Sequence, residues 1–165
     1  MAIGAQQFRD ALRFWASGVS VVTVQAPRGL ASITVSSFAS LSLDPPLVLI
    51  CIERRVRVHR LIAQRRAFAV NILGAGQLAL SERAAGRLGR AAARLGGVGT
   101  YTAVTGAPIL EGTLAWLDCR LQARHPGGDH TIFVGRVEAV GIGGGRPLLW
   151  FDRGYHVPAR KHRRP

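Results

Sequence analysis

Three ionisable side chains, His125, Asp129 and His130, fall at the start of an alternating run, HPGGDHTIFVGRVEAV (125–140). Types and spacing allow a metal site, an acid–base pair, or polar residues closing a hairpin. A metal wants more ligands than these three, and successive strand residues point to opposite faces. On a regular strand Asp129 and His130 therefore cannot share one pocket. Read from the residues alone, His130 is a solvated hairpin residue. A second group lies in ITVSSFASLS (33–42), where Thr34, Ser36, Ser37, Ser40 and Ser42 crowd hydroxyls onto an extended segment. Such a segment can line a flat ligand with donors, or its serines can satisfy their own backbone. A third group is ERRVRVHRL (53–61), whose Arg54, Arg55 and Arg57 precede a helical pattern. Arginines and a helix N-terminus can grip a phosphate, and a solvated arginine face is the alternative. No Ser–His–Asp or Cys–His arrangement suggests nucleophilic catalysis.

The frame that must position these groups is one domain. A chain of 165 residues can bury a real core, and 48% hydrophobic with 19% charged residues indicates a globular rather than a disordered chain. No apolar run approaches the ~20 residues that span a bilayer. MAIGAQQFRDALRF at the N-terminus has no basic segment leading into an apolar one, so no signal peptide is expected. Cys51 and Cys119 sit in apolar runs and read as two buried thiols in a reducing cytoplasm. The net charge of +13 comes almost wholly from arginine, Lys161 being the only lysine. It could be a nucleic-acid footprint. Aromatic residues are few and none lies among the arginines, so no base-stacking platform is visible and nucleic acid is disfavoured. An arginine-biased composition, with some arginines facing a phosphate-bearing small molecule, is preferred.

Phe8, Leu12 and Trp15 recur at helical spacing and predict a short amphipathic helix. Strands are predicted at 20–26, 30–43, 44–52 and 67–73, and the unbroken apolarity of 44–52 implies burial on both faces. Val58, Leu61 and Ile62 mark a helix. The alanine- and arginine-rich stretch after Gly76, broken at Gly86 and Gly89, reads as a helix fraying into a loop. Long strands at 112–125 and 129–143 form a hairpin through the three-residue link PGG. A short strand and turn follow at 146–158. The expectation is a mainly β fold: a closed antiparallel barrel with a few short helices, one domain over 1–158, and a basic tail at 159–165.

ASITVSSFASLSLDPPLVLICI (31–52), FAVNIL (68–73), GDHTIFVGRV (128–137) and PLLWFDRGYH (147–156) recur in the order and spacing of a known family. From about Phe8 to Tyr155 the chain resembles the flavin reductase-like family, the FMN-binding split barrel. The resemblance implies an NAD(P)H:flavin oxidoreductase. It would move a hydride from NADH or NADPH to FMN or FAD and supply reduced flavin to a partner monooxygenase. A flavoprotein that keeps its flavin for its own substrate, and a non-catalytic flavin binder, are the alternatives. A homodimer is implied too. Carried over residue by residue, Thr34, Val35, Ser36 and Ser37 would line the flavin ring, with Ser40 beside them. Cys51 and Glu53 would follow at the end of the next strand. Arg54, Arg55 and Arg57 would serve the phosphate, where relatives carry a polar stretch with serine or threonine. His130 would stand beside the flavin and nicotinamide rings as the catalytic donor, and Tyr155 near the pocket mouth. One departure is the stretch 82–99, which lacks the phenylalanines of relatives' flavin-covering segment. The basic tail is expected to be dispensable for flavin chemistry.

Overall fold

The computed structural model describes residues 3–86, 95 and 97–159. The tail from residue 160 and most of the arginine-rich stretch after Gly86 lie outside the described residues. In chain order the elements are α1 (Ala5–Leu12), β1 (Ser17–Gly18), β2 (Ser20–Gln25), β3 (Leu30–Val35), β4 (Ala39–Leu43) and β5 (Pro46–Glu53). There follow α2 (Arg57–Arg65), β6 (Ala67–Ile72), a 3-10 turn (Ala75–Gln77) and α3 (Leu78–Ala84). The C-terminal half holds β7 (Thr100–Thr102), β8 (Pro108–Leu110), β9 (Ala115–Gly127), β10 (His130–Ile142), β11 (Leu149–Phe151) and β12 (Gly154–His156).

Seven strands form one antiparallel sheet in the order β3-β2-β6-β9-β10-β5-β4. Its β-branched and aromatic strand residues wrap one core. Val22, Val24, Val35, Val48, Ile50, Phe68 and Phe133 meet there with Val58, Leu61 and Ile62 of α2. The core is tight: a Cβ built on Gly135 would lie 2.5 Å from the Phe68 ring, so this position admits glycine alone without repacking. The expected closed barrel is corrected. β3 and β4 are edges of the sheet, and no ladder joins them among the described residues. The run expected as one strand over 30–43 turns at Ser36–Phe38, which sends β4 along β5 and leaves β3 on β2. The Ser37 hydroxyl makes that turn by accepting from Cys51 N–H and donating to Cys51 C=O, each at 3.0 Å.

β5 also departs from expectation, because only one of its faces is covered. Val48, Ile50 and Ile52 are buried, while Leu47, Leu49 and Cys51 are half-buried. The outward surface retains Leu43 and Ile142, 90% and 89% exposed. Cys51 is thus not the buried thiol that was expected, whereas Cys119 is. Burial, helped by Asp118 and Glu138, pushes the Cys119 thiol up to about 12, and burial also raises Cys51. Thiolates are the reactive species. A disulfide-exchange reagent at pH 8 should therefore label native protein slowly at Cys51, and reach Cys119 only on denaturation. Peptide mass spectrometry reads this out, and prompt labelling of both in native protein would contradict it.

The β9–β10 hairpin is tighter than PGG suggested. Gly127 pairs with His130, leaving a two-residue turn, Gly128–Asp129, with Gly128 at φ 64°. Glycine with positive φ in the first central position suits the twist of the flanking strands. A buried polar cluster holds β8 against the sheet: Asn71 Nδ2 donates to Val21 C=O at 2.9 Å, and its Oδ1 accepts from Leu110 N–H at 2.8 Å. α1 buries none of its residues. It is fastened instead to the β11–β12 hairpin through Arg13–Asp152 at 2.6 Å and through Asp10–Arg153.

Candidate functional site

β3 is an edge strand, and among the described residues no strand pairs with its outer side, which can face a ligand. Two cavities run along it and share Ala85. The first, about 210 Å³, is lined by Val19, Thr34, Val35, Ser36, Trp150 and Tyr155 as well as Ala85. The second, about 500 Å³, extends from Leu30–Ile33 to Arg28, Val56, Arg57 and Gly86. Together they fall in the range of small-molecule clefts, roughly 300–1,000 Å³.

The walls of the first cavity are cross-braced. Thr34 Oγ1 donates to Ser81 C=O at 2.6 Å, and Ser81 Oγ shares a 2.9 Å hydrogen bond with Tyr155 Oη. Tyr155 meets Trp150 edge to face, ring centroids 4.9 Å apart. β3, α3 and the β11–β12 hairpin are thereby held in register around an aromatic end. The second cavity ends differently. Val56 caps α2 without a side-chain hydrogen bond, and the first turn has no acidic residue. No side-chain cap or first-turn acid among the described residues serves the first N–H groups of α2 beside Arg57, a setting that favours an anion. One end therefore suits a flat aromatic body and the other a phosphate.

The structure brings Thr34, Val35, Ser36 and Tyr155 together, with Arg57 at the far end of the groove. Ser37 and Cys51 are bonded to each other and shape the turn. Ser40 is exposed on β4 opposite Val48. The three arginines are not brought to one point, because α2 begins between them. Arg57 faces the β3 groove, Arg54 lines another cavity, and exposed Arg55 helps lower the Asp129 carboxyl. Glu53 and His130 face each other across the β5–β10 ladder. His130 lines neither cavity along β3. Asp129 and His130, expected to diverge, are in fact joined, Nδ1 to Oδ1 at 2.7 Å. Asp129 sits in the turn, where strand alternation does not apply. The same bond, with the His130 charge, holds the Asp129 carboxyl below its usual range. Among the described residues no three His, Cys, Asp or Glu side chains converge as a metal site. Nor is any helix among them long and apolar enough to cross a membrane.

Sequence reasoning missed Ser81, Trp150, Val19, Ala85 and Arg28. Ser81 carried a faint signal in the sequence, a lone hydroxyl directly after the apolar run 78–80, and the structure buries it fully. Trp150 lay inside a quoted motif without an assigned role.

Residues 12–159 match the Flavin reductase like domain family. The chain belongs to that family. It is 40% identical over 151 residues to the reductase component of 4-hydroxyphenylacetate 3-monooxygenase of Thermus thermophilus, covering 91% of this chain and 94% of that protein. To the FMN reductase (NADH) SmoA of Agrobacterium fabrum it is 41% identical over 146 residues, 88% of this chain and 82% of that one. Its fold superimposes on the NADH:FAD oxidoreductase SgcE6 of Streptomyces globisporus, solved with NAD and FAD fragments. The TM-score is 0.88 and the identity 29%, covering 98% of this chain and 99% of that one.

Proposed function

We propose that this protein is an NADH-dependent flavin reductase, the component that supplies reduced flavin to a separate monooxygenase. The observation that carries the reading is the polarity of the β3 groove, aromatic at Trp150 and Tyr155 and cationic at Arg28, Arg57 and the first turn of α2. A flavin nucleotide has the same asymmetry, a flat ring joined to a phosphate. Bound flavin supplies an N5 that accepts the hydride NADH carries at C4, two electrons and one proton moving together. The chain contributes position and charge. Thr34, Val35 and Ser36 offer backbone groups along the ring, and Ser37 fixes their turn through Cys51. Tyr155 and Trp150 close the ring end, while Arg28 and Arg57 hold the phosphate. The family resemblance assigns His130, which lies outside the lining of the groove, to the nicotinamide side; its Nδ1 donates to Asp129, and Nε2 is the remaining ring nitrogen, a donor when the ring is protonated. Ser40, Glu53, Arg54 and Arg55 line neither cavity along β3 and are given no role in this reading.

The protein works in the cytoplasm as a homodimer. The half-covered face of β5 and the exposed Leu43 and Ile142 support that assembly, since apolar surface of this kind seeks a partner. Light scattering at micromolar concentration should give twice the 17.7 kDa chain mass, and a monomer would refute the dimer. For the activity, NADH is mixed with excess free FMN or FAD and its absorbance is followed. Many turnovers per protein are expected. A yellow protein that oxidises NADH only once per bound flavin would instead favour a flavoprotein that keeps its cofactor.

A further inference from the structure

On the far side of the α2 N-terminus from Arg57 lies a separate cavity of about 220 Å³, lined by Arg54, His59, Arg124, His125, Pro126 and Thr131. It shares no lining residue with the two cavities along β3. Four of its six lining residues are cationic or can become so, and none is a carboxylate. Among the described residues no acid is paired with Arg54 or Arg124. Two guanidiniums facing one small space without a counter-ion repel each other.

The floor of the cavity is built rather than accidental. The His59 ring stands edge-on to buried Phe133, centroids 5.1 Å apart, and its Nε2 is 2.9 Å from Thr131 Oγ1. Thr131 itself is buried. Burial first, and then Arg54 and Arg124, push His59 toward its neutral form. The positive potential thus reaches the floor. Arg54 comes from the β5–α2 loop and Arg124 with His125 from the end of β9, so the walls belong to different segments. The backbone hydrogen bond from Arg54 N–H to Asp129 C=O at 3.0 Å fixes their separation.

We infer that this cavity is a phosphate-binding site, distinct from the flavin groove, in which Arg54 and Arg124 clasp a phosphate group above His59 and Thr131, with His125 at the rim. Arginine forks match phosphate oxygens in pairs, and the His59–Thr131 pair, which spends one hydrogen on its mutual bond, leaves one further donor below. A 2′-phosphate on the nicotinamide nucleotide, the pyrophosphate of FAD and free phosphate all present this chemistry.

The test uses the whole protein and inorganic phosphate at pH 7, with ionic strength held constant by sodium chloride. The ring resonances of His59 and His125 are followed by NMR. A saturable shift is expected, with affinity falling about tenfold or more in Arg124→Ser. Arg124 is exposed at a strand end, so the variant folds; His125→Gln provides a second, milder change. A shift that is linear in phosphate, reproduced by chloride, or unchanged in Arg124→Ser overturns the site. No flavin enters this arm, so its outcome is independent of whether the protein reduces flavin. Given saturable binding, steady-state kinetics of Arg124→Ser identify the source. A raised KM for NADPH but not NADH supports the 2′-phosphate, and a raised KM for FAD but not FMN supports the pyrophosphate. Unchanged values support free phosphate as the occupant.

Discussion

His130→Ala is expected to lower the rate of hydride transfer about ten- to a hundredfold while flavin affinity changes far less. A well-placed donor at a centre where charge develops is worth roughly 2–4 kcal/mol in the extreme case. The His130 side chain is 43% exposed, so water competes, and the lower part of that range applies at ~1.4 kcal/mol per decade. The Asp129 carboxylate accepts from Nδ1, which leaves Nε2 as the ring nitrogen for the reacting centre, a donor when the ring is protonated. Folding stability should fall by less than ~1 kcal/mol, because a half-exposed residue at a hairpin root buries little surface. Stopped-flow reduction of flavin-loaded protein separates chemistry from binding. An unchanged hydride-transfer rate would leave His130 a hairpin residue and remove it from the mechanism.

The second large effect falls on stability. Phe133 is fully buried at the centre of the sheet, flanked on β10 by Gly135, where the Phe68 ring leaves no room for a side chain. Phe133→Ala should cost about 3–5 kcal/mol in urea unfolding, the range for truncating a large aromatic in a packed core. The wide range reflects how far neighbours can collapse, and here α2 and six strands share the core. Phe133→Leu should cost distinctly less. Because His59 rests on this ring, Phe133→Ala should also broaden the His59 resonances in folded protein. A loss below ~1 kcal/mol would mean that the core is looser than its geometry indicates.

The strands with β-branched alternation or long apolar runs, β2, β5, β6, β9 and β10, were readable because their pattern is local. The break within 30–43 was not, since Ser36–Phe38 contains neither glycine nor proline. That turn is closed by a side chain reaching Cys51, fourteen residues away. Burial of β5 was misjudged for a related reason: apolar character on both faces tells what a strand would bury, not what the chain supplies to cover it. In the groove, Thr34, Val35, Ser36 and Tyr155 were legible from ordered motifs. Ser81 and Trp150 were not, because their importance arises only where α3 and β11 meet β3. Arg54, Arg55 and Arg57 looked equivalent as a run, and it took the start of α2 to turn them in different directions.

The fastening of α1 to the β11–β12 hairpin has a practical side. Both ion pairs are solvent-facing, with side chains 36–56% exposed, and such pairs are worth roughly 0–1 kcal/mol each and weaken as salt screens them. The same hairpin carries Trp150 and Tyr155, the aromatic wall of the groove. Ionic strength therefore acts as a soft latch on the aromatic wall of the groove, and buffers that differ only in salt will sample slightly different positions of that wall.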